Sequence, residues 1–389
     1  MKVLVIQPTV PHYRVAFFNG IARKLKGELR IQASARIPGG PDSVNTSELP
    51  GIHYSANHRL KTFGHNTLYW QHKLDLGDMG KGDVLFVAGN PRFLSLFPLI
   101  FKARLRGMGV IIQGHGWSSS SRPLTARLRH TLWRCGHVLY LYTDEEREQF
   151  ISNGFSSERV FAANNTIGTD DIQKALEAWT PRRLDGFRQE TGWPATPPTL
   201  LFCGRLTTKA ELHVLLDAMA QLRDQNRPVR LVVIGTGDEE ARLRAHCSRL
   251  RLDEHVIWHG AEHDEMRLAP WFLSAQLFVY PGAIGLSLLH AFNYGLPVIT
   301  HDQLRQHNPE IAALQPGING DIFSQGNAPH LAARIDQLLS QPDALQRMRE
   351  QALQTIEQRF STELMVDRFI SAVEAAHRLS LGTPLVNLP

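Results

Sequence analysis

The residues best suited to chemistry lie in the second half of the chain. Arg205 and Lys209 follow the apolar run Leu200 to Cys203, in the order Cys203-Gly204-Arg205-Leu206. A cation pair at the carboxyl end of a strand suits a diphosphate. Fixed positive charge holds the group and neutralises it as it leaves, in place of a divalent metal. Pro281 to Thr300 then reads PGAIGLSLLHAFNYGLPVIT, after the buried-strand run AQLFVY. Gly282 and Gly285 let the backbone turn sharply. Ser287 to Tyr294 reads as a helix that packs Leu288, Leu289, Ala291 and Phe292 on a sheet, and Gly295 stops it. A strand, a glycine turn and a helix N-terminus together make an anion site, because free N–H groups and the helix dipole converge there. In the first half, Gly114-His115-Gly116-Trp117 follows the strand Val110 to Gln113. His115 there is placed to hydrogen-bond a sugar hydroxyl or a reacting centre, and Trp117 to stack on a sugar face; the plain alternative is a structural turn histidine. Gly235-Thr236-Gly237 runs into Asp238 and Glu239, whose charge argues against a phosphate on that helix and for a tight turn.

These segments need strands to end on and helices to start from, and the chain supplies both. Strands are expected at Val3–Ile6, Leu29–Ala33, Val84–Val87, Val110–Gln113 and Val138–Leu141, with helices at Tyr13–Leu25, Arg92–Arg106, Leu124–Arg134 and Asp144–Asn153. The second half repeats the alternation, with strands at Leu200–Cys203, Leu231–Ile234, Val256–Trp258, Leu277–Tyr280 and Val298–Thr300. Helices fall near Glu211–Asp224, Asp238–Leu250, Asp264–Leu268, Ser287–Tyr294, His330–Leu339 and Ser361–Leu379. Such alternation means parallel sheets covered by helices: an α/β fold of two Rossmann-like domains facing a central cleft. With 389 residues, two domains are expected. Their expected bounds are 1–180 for the first, 181–198 for a proline-rich linker, 199–360 for the second, and 361–380 for a final helix packing back on the first domain.

Composition is globular, with 43% hydrophobic and 20% charged residues. No apolar run is long enough to span a bilayer, and the start MKVLVIQPTVPHYR reads as a first strand and not a signal peptide. Cys135, Cys203 and Cys247 are far apart and lack metal spacing, which fits free thiols in a reducing cytoplasm. Charge is uneven. Residues 1–190 carry 25 Lys+Arg against 16 Asp+Glu, a net of +9, and residues 191–389 carry 17 against 21, a net of −4. Between Val84 and Thr143 lie eight basic residues and no acidic one. That block implies a membrane surface, a nucleic acid or a phosphorylated acceptor, or else a solvated basic face. No nucleic-acid motif accompanies it, so nucleic acid is not expected. Leu124, Leu128 and Leu132, flanked by Arg127, Arg129 and Arg134, fit an amphipathic helix on anionic lipid or a core-facing leucine stripe.

Taken together, GRLTTK, VIGTGDEEARL, VIWHGAEH and PGAIGLSLLHAFNYGLPVIT, with PHYRVAFFNGIA, GHGW and NNTIGT in the first half, resemble the retaining GT-B glycosyltransferases of family 4, in a branch that builds bacterial surface polysaccharides. The resemblance implies transfer of a sugar from a nucleotide sugar to a lipid-linked or oligosaccharide acceptor, at or near the inner face of the cytoplasmic membrane. It also implies retention of anomeric configuration and no metal or other cofactor. Gly204, Arg205 and Lys209 would bind the donor diphosphate; Gly282 and the amides of Ala283, Ile284, Gly285 and Leu286 would hold the phosphate and the transferred sugar. His115 would sit near the anomeric carbon, with Arg205 and Lys209 sharing in catalysis. The stretch Trp258–Ala261 would receive the base, and Tyr13, Arg14 and Trp117 would face the acceptor. Glu310 falls near the donor site. The pattern departs at four places: Gly282 and His290 stand where the family has two glutamates, Ala210 where a lysine is usual, and Gly168 where an aspartate is frequent. These departures motivate an alternative, a non-catalytic GT-B-fold binding or partner protein. An epimerase or a phosphorylase on the same fold is a third reading.

Overall fold

The computed structural model describes residues 1–38, 40–64, 68–114, 133–193 and 196–382. The chain forms two units. Met1–Gly168 together with the chain from Thr362 make the first, and Thr169–Ser361 make the second.

The first unit contains β1 (Lys2–Ile6), β2 (Glu28–Gln32), β3 (His53–Ser55), β4 (Leu60–Phe63), β5 (Leu68–Gln71), β6 (Val84–Ala88), β7 (Gly109–Gln113), β8 (Val138–Leu141) and β9 (Val160–Ala162). Seven of them form a parallel sheet in the order β3-β2-β1-β6-β7-β8-β9, and β4 and β5 pair as an antiparallel ribbon. The apolar runs are continuous because both faces are covered. Val3 and Val5 point to one core with Phe17, Ile21 and Phe369, while Leu4 and Ile6 point to the other with Leu96 and Leu99. Helix Thr362–Ser380 covers the first of these cores. It packs so tightly that a Cβ on Gly109 would lie 2.6 Å from the Ala376 carbonyl oxygen.

The second unit contains β10 (Thr199–Cys203), β11 (Arg230–Ile234), β12 (Val256–Gly260), β13 (Leu277–Val279), β14 (Val298–His301) and β15 (Gly320–Phe323), all parallel in the order β12-β11-β10-β13-β14-β15. Strand order reverses between β10 and β13, so the loops after those two strands flank a topological switch point, where open α/β sheets bind ligands. In the first unit the reversal falls between β1 and β6.

Strands β3, β4, β5, β9 and β15 and helix Asp170–Ala178 were not anticipated, and three further segments differ from expectation. Residues 181–190, read as linker, form a helix with Thr180 as N-cap and Pro181 in its first turn, and the break between units falls before Thr169. The helix expected over Asp264–Leu268 runs instead from Glu265 to Ser274, through Pro270. A proline there leaves the carbonyl four residues back without a helical donor. That carbonyl is Met266, and the Trp179 indole N–H donates to it at 2.8 Å. Helix Pro342–Arg359, not anticipated, buries Leu345, Met348, Ala352 and Ile356 along one stripe.

Candidate active site

In the second unit, four loops at the carboxyl ends of parallel strands are tied together by their backbones. The loop after β10 is bound to the turn after β11: the Leu206 amide donates to the Thr236 carbonyl (3.0 Å), and the Glu239 amide to the Leu206 carbonyl (3.1 Å). A Cβ on Gly235, whose φ is +133°, would lie 1.9 Å from the Gly204 oxygen. Only glycine permits that approach, so Gly235-Thr236-Gly237 is a tight turn supporting Gly204. On the other side of β10, the Ala283 amide donates to the Lys209 carbonyl at 3.0 Å. A Cβ on Gly282 would lie 1.9 Å from that same oxygen. The two switch-point loops are therefore in backbone contact at Lys209 and Gly282.

Arg205 and Lys209 are exposed on this junction, and neither side chain has a partner among the described residues. Ala210 is different. Its side chain is 1% exposed, inside the core with Leu206 and Leu215. The cation at this turn is thus presented from position 209, and position 210 is a packing position.

Two of the four amides expected to face a phosphate are engaged within the protein. Ala283 binds the Lys209 carbonyl, and the Ile284 amide donates to His307 Nδ1 at 3.1 Å. The amides of Gly285 and Leu286, at the start of helix Leu286–Asn293, have no acceptor among the described residues. They are the donors that remain for an anion. His307 is held in turn: its Nε2 donates to the His301 carbonyl (2.9 Å), and the two rings stack 3.9 Å apart at 23°. Burial lowers both, His301 to about 4, so both are neutral near pH 7 and His307 Nδ1 accepts. The Asn308 amide donates to the Ile284 carbonyl (3.0 Å), which brings the buried Glu310, two residues on, to the same turn.

His290 projects from helix Leu286–Asn293 toward helix Glu265–Ser274. Its Nε2 lies 3.1 Å from Glu265 Oε2, which also accepts the Tyr294 hydroxyl at 2.7 Å. The Phe272 ring lies against the imidazole, centroids 4.5 Å apart and tilted by 38°. Sequence reasoning missed Glu265, His307 and Asn308, since each acts through a partner distant in sequence. Burial pushes the Cys203 thiol up to about 12, with the Glu265 charge adding to it, so this cysteine is no nucleophile. Trp258, in the stretch expected to receive a base, lies under the Arg244 guanidinium at 4.9 Å.

In the first unit, Tyr13 and Arg14 follow β1, at that sheet's own switch point. Tyr13 is exposed. The Arg14 guanidinium lies 5.6 Å from its ring and 5.8 Å from that of Phe17, beside a small pocket lined by Gln7, Gln113 and Tyr140. Gly168 abuts Ala16, where a Cβ would come within 2.9 Å of the alanine's own, so the aspartate frequent in the family has no room here. His115 and Trp117 lie outside the described residues, as does Leu124–Arg134 except for Trp133 and Arg134. Among the described residues no helix is long and apolar enough to cross a membrane, and no group of three or more His, Cys, Asp or Glu side chains is placed to hold a metal ion.

Residues 185–355 match the family model described as glycosyl transferases group 1, so the chain carries a domain of that family. A lipopolysaccharide 1,6-galactosyltransferase of Salmonella typhimurium is 23% identical over 205 residues, 50% of either chain. The matches span between 50% and 67% of the length of the first curated relatives. Among solved structures, a glycosyltransferase from Rickettsia africae superposes with a TM-score of 0.70 at 15% identity, covering 99% of both chains. HepE of Anabaena, solved in complex with UDP, gives 0.70 at 16%, covering 96% of this chain and all of the other. At such identities the likeness shows the fold, which is GT-B.

Proposed function

We propose that this protein transfers a sugar from a nucleotide-sugar donor to a glycan acceptor in the synthesis of a bacterial surface polysaccharide. The observation that carries this reading is the switch-point junction of the second unit. It presents two cations, Arg205 and Lys209, beside the amides of Gly285 and Leu286, all without a partner among the described residues. A nucleoside diphosphate is the ligand such a junction suits. As the bond between the anomeric carbon and the diphosphate oxygen breaks, the electron pair and charge pass to the diphosphate. Arg205 and Lys209 stabilise that charge, which supplies electrophilic assistance from the protein itself. The acceptor hydroxyl then bonds to the anomeric carbon on the face the leaving group vacates, and its proton passes to the departing phosphate; the configuration is retained. In this reading Tyr13, Arg14 and Trp117 serve the acceptor, and His115 shares in catalysis with Arg205 and Lys209. The acceptor is lipid-linked or a free oligosaccharide, and in the lipid-linked case the enzyme works at the inner face of the membrane. The relative named as a lipopolysaccharide 1,6-galactosyltransferase supports the pathway class.

A second reading, a non-catalytic binding protein, is favoured by Gly282, which cannot carry a carboxylate where the Lys209 carbonyl lies 1.9 Å from the position of its Cβ. Titration with UDP, GDP, dTDP, ADP and CMP separates the two. Binding of one nucleoside diphosphate, weakened by about 1.5–3 kcal/mol in Arg205→Ala, supports the donor site. Unchanged affinity removes Arg205 from it. Transfer from any nucleotide sugar rejects the non-catalytic reading, and His115→Ala should then lower turnover more than donor affinity.

A further inference from the structure

We propose that one side of the first unit docks onto an anionic lipid surface through the β4–β5 ribbon and helix Leu96–Leu105. The ribbon pairs Lys61 with Trp70 and Phe63 with Leu68. Its inward side, with Leu60 and Tyr69, covers the core, and Tyr69 stacks on Phe93 at 4.9 Å. An antiparallel pair with one solvated face ordinarily shows polar residues there. Here the outward face carries Phe63, Leu68 and Trp70, exposed at 40%, 38% and 37%, with the Lys61 ammonium 5.1 Å from the Phe63 ring.

The helix repeats the inversion. Leu96, Leu99, Ile100 and Ala103 face the core, while Pro98, Phe101 and Leu105 stand outward at i, i+3 and i+7. Phe101 is 65% and Leu105 73% exposed, more than any other large apolar side chain among the described residues. Ribbon and helix close over the same core on one face of the seven-stranded sheet, so their outward sides share one side of the unit.

Cations surround these apolar groups. Arg59, Lys61, Lys73, Arg92, Lys102 and Arg104 are exposed. Residues 57–73 contain no acid, and neither do residues 84–143; Asp75, 4.0 Å from Lys102, stands at the margin. Protruding aromatic and aliphatic groups ringed by long basic side chains match the chemistry of a bilayer interface. The apolar groups enter the acyl boundary while the lysines and arginines reach the phosphates. A second copy of this face would instead oppose like charges. The inference rests on the membrane location in the proposed function and names the surface that would provide it.

The test is co-sedimentation of the full chain with vesicles of phosphatidylcholine alone and of phosphatidylcholine mixed with phosphatidylglycerol. Binding is expected to the mixed vesicles, at least about tenfold weaker to the neutral ones, and falling with salt. Phe101→Glu with Leu105→Glu should weaken it by about tenfold or more with the melting temperature unchanged, since these two side chains stand mostly in solvent, and Phe63→Glu with Trp70→Glu should weaken it likewise. No binding, or equal binding by the variants, overturns the proposal. So does a wild-type dimer that the Phe101→Glu, Leu105→Glu variant splits, or capture of an acidic polypeptide without capture of vesicles. Nucleotide titration of the same variants should be unchanged. Vesicle binding without nucleotide binding would overturn the transferase reading and leave the surface standing.

Discussion

Gly282→Ala tests the geometry of the candidate site most directly. The added Cβ would lie 1.9 Å from the Lys209 carbonyl oxygen and 2.7 Å from the Ala210 carbonyl carbon, both backbone atoms that no rotamer change moves away. The loop after β13 must then lift off the loop after β10. The Ala283 amide to Lys209 carbonyl bond is lost, at about 0.5–1.5 kcal/mol, and displacing packed backbone adds about 1–3 kcal/mol. A loss of about 2–4 kcal/mol is expected by denaturant unfolding, together with weakened nucleotide binding, because Lys209 and the Gly285 amide shift relative to one another. Gly285→Ala is the internal comparison. Its Cβ would meet the Asn308 side chain, with Nδ2 at 2.6 Å, which can swing aside, so a smaller loss of about 1 kcal/mol or less is expected. If Gly282→Ala unfolds within about 0.5 kcal/mol of the parent and binds nucleotide normally, the two loops are not joined as described, and the assignment of Lys209 to the site fails with them.

Ala210→Lys should destabilise the protein by about 2 kcal/mol or more and leave nucleotide affinity no better, since the side chain at 210 points into the core and not toward Arg205; tighter binding in a thermal-shift titration would contradict this. Gly186→Ala, inside helix Pro181–Glu190 with nothing within 4 Å of the new Cβ, should raise stability by about 0.5–1 kcal/mol, read by denaturant unfolding. Stability should fall as pH drops from about 6.5 toward 4. Buried His301 and His307 stay neutral in the native state while the unfolded chain takes up protons, so the unfolded state binds more protons across that window. His301 alone accounts for up to about 3 kcal/mol. His301→Asn should flatten this slope in a pH series of unfolding curves, whatever it does to stability at pH 7.

The central strands of both sheets were legible because parallel strands buried on two faces must be continuously apolar, and VLVI, VLFV and LVVI have no other reading at that length. Edge strands lack that constraint: β3 is His53-Tyr54-Ser55, and β15 opens with Gly320 and Asp321, so neither carries the signal. The prolines of 181–198 suggested a linker, yet Pro181 sits in the first turn of a helix, where its fixed φ and missing N–H cost nothing. The same limit governs the site. Residue types at strand ends pointed to Arg205, Lys209 and the glycine turn, because the demand for cations, free amides and tight turns is local. Which amides stay free is not local. Ala283 is taken by a carbonyl from the loop after β10, and Ile284 by an imidazole after β14 whose tautomer is fixed by the His301 carbonyl. The missing carboxylate at position 290 is likewise set by an acid from another helix, Glu265, which holds His290 and Tyr294 together. Substitution at Gly282, Ala210 and Gly168 is therefore better understood as packing than as decay. At each of the three positions the structure leaves no room for the side chain the family pattern carries, and the neighbouring groups, Lys209 among them, are already arranged around its absence.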